Sequence, residues 1–347
     1  MKKLFLPIII LCTFLTPQFG LAAGMAVDVY RAFTPSRFDV YLDTKYFKTS
    51  SNFGRSGEKQ ALPANSSLQA VNLQTAARYV LFNDTGIFGG LNFGNVESNN
   101  GITARTNSRL TNISAGLDYQ IVQSSSWSLF TEVAYVYSNE RIDLNQDSAL
   151  ASDGASEFAA QLVGIIRSQN FRNFARIGYD YRTEGLSHLL LYGFGSEYLI
   201  GDSSAGVEFA GLSSVKDDQQ TNTPLIRETL TSRVNAGSKK YFSINPNSLE
   251  THLYYSYAFN PDLSFKLSLG TTIVGSNSAD GNFVGLAFNW GFGGETVRNS
   301  NSGLKKQPPK IINNSVVPEN QPGFRVETDD GVNQDLFKQA EPIKPKK

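Results

Sequence analysis

The sequence predicts an all-β fold: a transmembrane, antiparallel, up-and-down β-barrel. Three observations carry that prediction. Large apolar side chains recur at every second position through most of the chain. Glycine (30), phenylalanine (24) and tyrosine (15) are abundant, while methionine (2) and histidine (2) are scarce. Polar stretches rich in turn formers separate the alternating runs. Because successive strand side chains point to opposite faces, each run has one oily, aromatic face and one small or polar face. That division suits a strand with lipid outside and water or polar packing inside.

The chain opens Met1-Lys2-Lys3, continues apolar from Leu4 to Leu15 and reaches small residues at Gly20 to Gly24. This is the pattern of a cleaved secretory leader, here residues 1–23, with the cut near Ala22 or Ala23. The apolar run is well short of the ~20 residues of a spanning helix. Cys12, the only cysteine, lies inside the leader. It is preceded by Leu11 rather than the small residue an acylation site needs, so a mature chain has no thiol for a disulfide or a metal.

Residues 27–294 are expected to form the barrel. On the first run Phe38, Val40, Leu42 and Tyr46 oppose Arg37, Asp39, Asp43 and Lys45. Val71 to Leu81, Ile113 to Ile121, Trp127 to Tyr137, Phe158 to Ile166, Ile177 to Tyr181 and Leu190 to Tyr198 alternate likewise. Runs at Ala205 to Val215, Ile226 to Ala236 and Leu249 to Phe259 are weaker. The clearest pair ends the series, Phe265 to Ile273 and Val284 to Phe292. None of the five prolines between Val27 and Gly294 interrupts a run, as befits a residue that cannot donate to a ladder. Thirteen runs are countable. Bacterial barrels usually have an even number, so the expectation is 12–14 strands, with 14 preferred if 225–248 hides a hairpin at Ala236-Gly237-Ser238. Longer loops are expected at about 49–66, 97–108, 139–154 and 216–224.

Residues 295–347 change character. Six of the 13 prolines lie there among Asn, Gln and Lys, a composition too polar to bury a core and expected to be extended or disordered. One denser patch, Phe324 and Val326 followed by Val332, Leu336 and Phe337, is a candidate partner-binding motif.

With 31 basic and 31 acidic residues the chain gives no hint of a nucleic-acid partner. Catalytic signals are weak. Ser187 and His188 are neighbours on opposite strand faces, Ser256 lies too far along the strand from His252, and Asp217-Asp218 has no histidine beside it. Asp143 to Asp147 starts like a calcium loop but has Ser148 and Gly154 where glycine and glutamate belong. Gly193-Phe194-Gly195 lacks the following helix of a nucleotide site. The expectation is no enzyme, no cofactor and no metal.

Charged residues on the polar face are the candidate site: Arg37, Asp39, Asp43, Arg78, Asp118, Glu132, Arg176, Asp180, Arg182, Glu197, Arg227, Arg233 and Lys266. In a water-filled lumen they line a channel; paired with one another they plug it. Outward Tyr46, Tyr79, Tyr119, Trp127, Tyr137 and Trp290 are candidates for interfacial girdles.

The chain resembles Gram-negative, porin-like outer-membrane β-barrel proteins over Arg37 to Phe292. The most specific residues are Phe288-Asn289-Trp290-Gly291-Phe292, similar to the terminal strand that barrel-assembly machinery recognises, with Phe288, Trp290 and Phe292 as the signal. The resemblance implies an outer-membrane location, a lipid surround and an assembly-machinery partner. It departs in one respect: here a tail follows the terminal strand. Two functions stay open, a passive channel for small polar solutes or ions, and a closed structural barrel whose loops or periplasmic tail bind a periplasmic or cell-wall partner. A soluble β-sandwich is disfavoured, because a dozen aromatic-rich faces exceed what one sandwich buries.

Overall fold

The computed structural model describes residues 32–294. The expected leader and the tail, with Phe324, Val326, Val332, Leu336 and Phe337, lie outside the described residues. Twelve antiparallel strands close on themselves: β1 (Phe38–Phe53), β3 (Ser66–Val80), β4 (Thr85–Asn100), β5 (Ala104–Gln123), β6 (Trp127–Ser138), β7 (Glu157–Arg167), β8 (Phe171–Arg182), β9 (His188–Ile200), β10 (Ser203–Lys216), β11 (Asn247–Asn260), β12 (Leu263–Ser276) and β13 (Ser278–Phe292). A short strand β2 (Lys59–Ala61) pairs on the end of β1. The barrel is sealed by β1 against β13, from Phe38↔Phe292 to Phe53↔Ser278, which leaves no free edge among the barrel strands. At one end the connections are tight, such as Leu81–Asp84, Ser124–Ser126 and Pro261–Asp262; the longest loops, 139–156 and 217–246, lie at the other.

The strand count corrects the preferred fourteen. Residues 225–248 hold no hairpin; Leu225–Val234 is helix α1. Ile226, Leu230, Val234 and Ala236 would share one face of a strand, but Arg227, Leu230, Thr231 and Val234 are the buried set, at the spacing of one helical face. Pro224 precedes the helix, and Glu228 in its first turn and Arg233 in its last suit the helix dipole. The expected loop at 97–108 is also mostly strand, since β4 runs to Asn100 and β5 restarts at Ala104. Both faces are polar there, so the ladder continues where alternation has already faded.

The outer face carries the apolar alternation. Leu117 is 55% exposed, Ile166 62% and Leu253 62%, and similar residues flank them on every barrel strand. Such a belt is far larger than the apolar patches of soluble monomers. Tyr79, Tyr119, Trp127 and Trp290 sit outward near the tight-turn end, and Tyr137 outward near the long-loop end. Tyr46 also faces out, its hydroxyl donating to Gln69 (2.7 Å).

Glycine has a packing role in the wall. Phe88 lies over Gly116, Phe174 over Gly195, Tyr254 over Gly206 and Phe283 over Gly270, each pair directly opposed across a ladder. A Cβ at Gly116 would sit 2.3 Å from the Phe88 ring, and one at Gly270 would sit 2.2 Å from Phe283. The inward aromatic rings can therefore lie flat against the wall only where the neighbouring strand has no side chain.

Candidate functional site: a plugged, charged lumen

The strand-borne candidates of the polar face all project from the inner wall, and most meet an opposite charge. Arg78, with no exposed surface, donates from Nε to Asp118 (2.7 Å) and from Nη1 to Asp39 (3.3 Å). Arg37 donates to the same Asp39 (2.7 Å) and to Asp262 in a tight turn (3.0 Å). Across the barrel Arg176 pairs with Glu208 (2.6 Å) and Arg172 with Glu197 (2.8 Å), and Ser204 donates a further bond to Glu197. Asp43 pairs with Lys45 (3.4 Å), and the Lys266 ammonium lies 3.9 Å from the centre of the Tyr254 ring. Arg182 binds Asp153 (2.8 Å) from a long loop. Glu132 and Asp180 are buried on β6 and β8. Unpaired charges would be costly in such a place, so the sequence supplies both signs.

Arg227 and Arg233 are corrections, because they belong to α1 rather than to a strand. Arg227 is buried against Asp218 (2.5 Å), its guanidinium 4.1 Å from the Phe242 ring centre. Arg233 donates to the carbonyls of Leu144 (2.6 Å) and Gln146 (2.9 Å).

Those contacts belong to a plug that sequence reasoning missed. Loops 139–156 and 217–246 fold onto each other and onto inward residues of the wall, sharing one buried apolar cluster. Phe47, Leu68, Val96 and Ala279 contribute from strands, Leu150 from the first loop, and Leu230, Val234, Tyr241 and Phe242 from the second. Polar clasps fix it. The Leu150 amide donates to Asn235 (2.9 Å), the Phe242 amide to Asp153 (2.5 Å) and Asn72 to the Tyr241 hydroxyl (3.3 Å). Asn52 both donates to the Gly237 carbonyl and accepts from the Lys239 amide, each at 2.8 Å. Glu140 is fully buried and accepts from Ser152 (2.7 Å) and the Ala151 amide, and desolvation holds its carboxyl above the usual range. Loop residues carry no period-two signal; the one local clue was the spacing of Leu230 and Val234.

Lys240 in this plug lies 4.5 Å from the Phe47 ring centre, and desolvation pushes its ammonium down to about 8 from 10.5. Between those values the unfolded loop holds a proton that the docked loop has released, so docking strengthens as pH rises. Limited proteolysis of loop 217–246 should slow from pH 8 to 10.5, and Lys240→Met should abolish that change. A wild-type rate that is flat over the range would contradict the assignment.

The tight-turn end is also occupied on one side. Ala32 accepts from Arg78 (2.7 Å), and Phe33 stacks 4.6 Å from that guanidinium and 6.0 Å from Phe130. Phe33 thereby packs on the buried cluster Phe130, Val163, Ile165 and Phe174. The opposite wall is different. Inward Ser264, Lys266 and Ser268 on β12 and Ala287 and Asn289 on β13 stay half-buried, and the Lys45 side chain on β1 is 33% exposed. Small and polar residues there leave part of the lumen open to water. Beneath the plug lies a small cavity of ≈ 70 Å³, walled by Asn92, Thr111, Glu157, Arg182, Lys240 and Tyr241 among others. His188 and His252 are engaged elsewhere, His188 with the Tyr179 hydroxyl (2.5 Å) and His252 with Glu250 (3.3 Å).

No family model matches the sequence, and no curated protein matches it. Among solved structures, the COG4313 outer membrane channel from Pseudomonas putida F1 is similar at 12% identity and a TM-score of 0.58, covering 77% of this chain and 98% of that one. The β domain of the Bordetella autotransporter BrkA (11% identity, TM-score 0.44, 74% and 99% covered) and the NanC porin (10%, 0.43, 73% and 98%) are similar only more loosely. The closed ring of strands, the oily outer belt and the likeness to the first of these structures together give the conclusion: the chain has the closed β-barrel fold of outer-membrane channel proteins.

Proposed function

We propose that the protein is an outer-membrane barrel that passes small polar solutes or ions passively, with the tight turns toward the periplasm and the plugged end outside. One observation carries the reading. Inside a closed ring, one wall keeps Lys45, Lys266, Ser268 and Asn289 half-exposed, so water reaches charged groups that hydrocarbon cannot. The chain's barrel assembly depends in this reading on the terminal strand with Phe288, Trp290 and Phe292, which face outward on β13.

Planar-bilayer recording of the purified protein tests it, with discrete conductance steps expected. Lys266→Glu should move the reversal potential under a salt gradient toward cation preference, since it inverts a charge on the open wall. Silence above background at any voltage would reject the channel.

The interlocked plug favours a second reading, a closed barrel serving as a platform for a partner of its loops or tail. Its test is capture by residues 304–347; a tail that retrieves no periplasmic or cell-wall component would remove its support.

A further inference from the structure

We infer that the open part of the lumen prefers small anions to cations, because the ion pairs of its wall turn their basic members toward the water and their carboxylates toward the wall. The inference rests on the channel reading, of which it names the solute class.

Formal charge gives no preference, since 31 basic residues face 31 acidic ones. What an ion meets inside the ring depends on which member of each pair the water reaches. Three inward pairs show one order. The Lys45 side chain is 33% exposed against 19% for Asp43, Arg172 is 27% against 2% for Glu197, and His252 is 19% against 4% for Glu250. Arg176 and Glu208 are nearly equal, but Glu208 also feels Lys266, His252 and Lys45, so several bases share that carboxylate. Lys266 makes no ion pair among the described residues; its ammonium rests on the Tyr254 ring. Asp39, Asp118, Glu132 and Asp180 are buried in the wall.

The order has a chemical cause. Lysine and arginine carry their charge on longer stems than aspartate and glutamate, so from one wall the cation reaches further toward water. The strand register adds room. Gly285 and Ala287 on β13 separate Lys45 and Asp43 of β1 from Ser268 and Lys266 of β12, so no bulky side chain stands between the two lysines. Screening then favours the nearer charge, because fields between exposed groups fade over roughly 8 Å at physiological salt. Carboxylates more open than their partners lie off the barrel strands, Asp262 in a tight turn and Asp147 and Asp153 in loop 139–156. Asp153 interacts with Arg182, Arg227 and Lys240, and Glu157, half-buried under the plug, stands across the ladder from Arg182. Basic groups lining an aqueous path favour anions in it.

The test is the reversal potential of the full-length protein in planar bilayers under a potassium chloride gradient. Potassium and chloride have nearly equal mobility in water, so a pore without preference gives a potential near zero. The expected sign is that of chloride preference, by roughly threefold over potassium. Lys266→Gln and Lys45→Gln should each lower that ratio by about half, the double variant should bring it near unity, and Lys266→Arg should keep it. Heat-dependent gel mobility checks that each variant is folded; should Lys266→Gln fail that check, Lys45→Gln decides. A potential near zero or on the potassium side, or a chloride preference unmoved by removing both lysines, overturns the inference while the conductance itself leaves the channel reading standing. Silence above background rejects the channel reading, and this inference with it.

Discussion

Replacing residues 220–243 with a short Gly-Ser linker should convert a nearly closed barrel into a wide pore. The segment contains α1 and the second half of the plug, yet no barrel strand: β10 ends at Lys216 and β11 begins at Asn247. Its removal takes away Leu230, Val234, Tyr241 and Phe242 from the buried cluster. It also deletes the clasps from Asn235 to Leu150, Arg233 to Leu144 and Phe242 to Asp153, so loop 139–156 loses its partner as well. The strand ladder is untouched, and surface loops tolerate such replacement well. Twelve strands enclose more interior than the eight whose side chains fill a small barrel, so single-channel conductance should rise by roughly tenfold once the plug is gone. If the variant inserts normally and its conductance matches the parent, the plug is not what limits passage, and attention moves to Phe33 at the other end.

The largest expected loss of stability comes from Arg78→Met. This guanidinium joins β3 to β1 through Asp39 and reaches Asp118 on β5, in a place with no water contact. It also anchors the Ala32 carbonyl and the Phe33 ring. Methionine fills comparable volume but supplies no donor and no charge. Removing one partner of a buried ionic cluster typically costs about 3–5 kcal/mol, most of it the burial of carboxylates left without their cation. Urea unfolding in lipid vesicles should show a loss of that size. The double variant Arg78→Met with Asp118→Leu should recover a substantial part, because the stranded carboxylate goes with it. A single-variant loss below about 1 kcal/mol would mean that the cluster is better hydrated than its burial implies.

Particular residues show how far local pattern reached. Ile177, Tyr179 and Tyr181 facing out and Arg176, Asp180 and Arg182 facing in follow from counting by two along one segment. The same rule placed Phe288, Trp290 and Phe292 on the outer face of the closing strand. It misread Ile226 to Ala236, where short apolar spacing is compatible with a strand and only burial against Phe47 and Leu68 selects a helix. It gave the inward aromatics no role. Tyr41, Phe88, Phe130 and Phe174 break the polar inner face, and their place makes sense only once glycines or apolar partners on neighbouring strands are known.

The sequence by itself determined that the strands are two-faced and which face of each is the oily outer one, because that choice is made within one strand by a period of two. Tertiary structure alone decided the number of strands, the plug and the pairing of charges. Arg37 meets Asp262, Asn52 meets Gly237 and Asp153 meets Phe242, contacts between segments 225, 185 and 89 residues apart. Their geometry is set by closure of the ring and by how two loops share its mouth, and no local period encodes either.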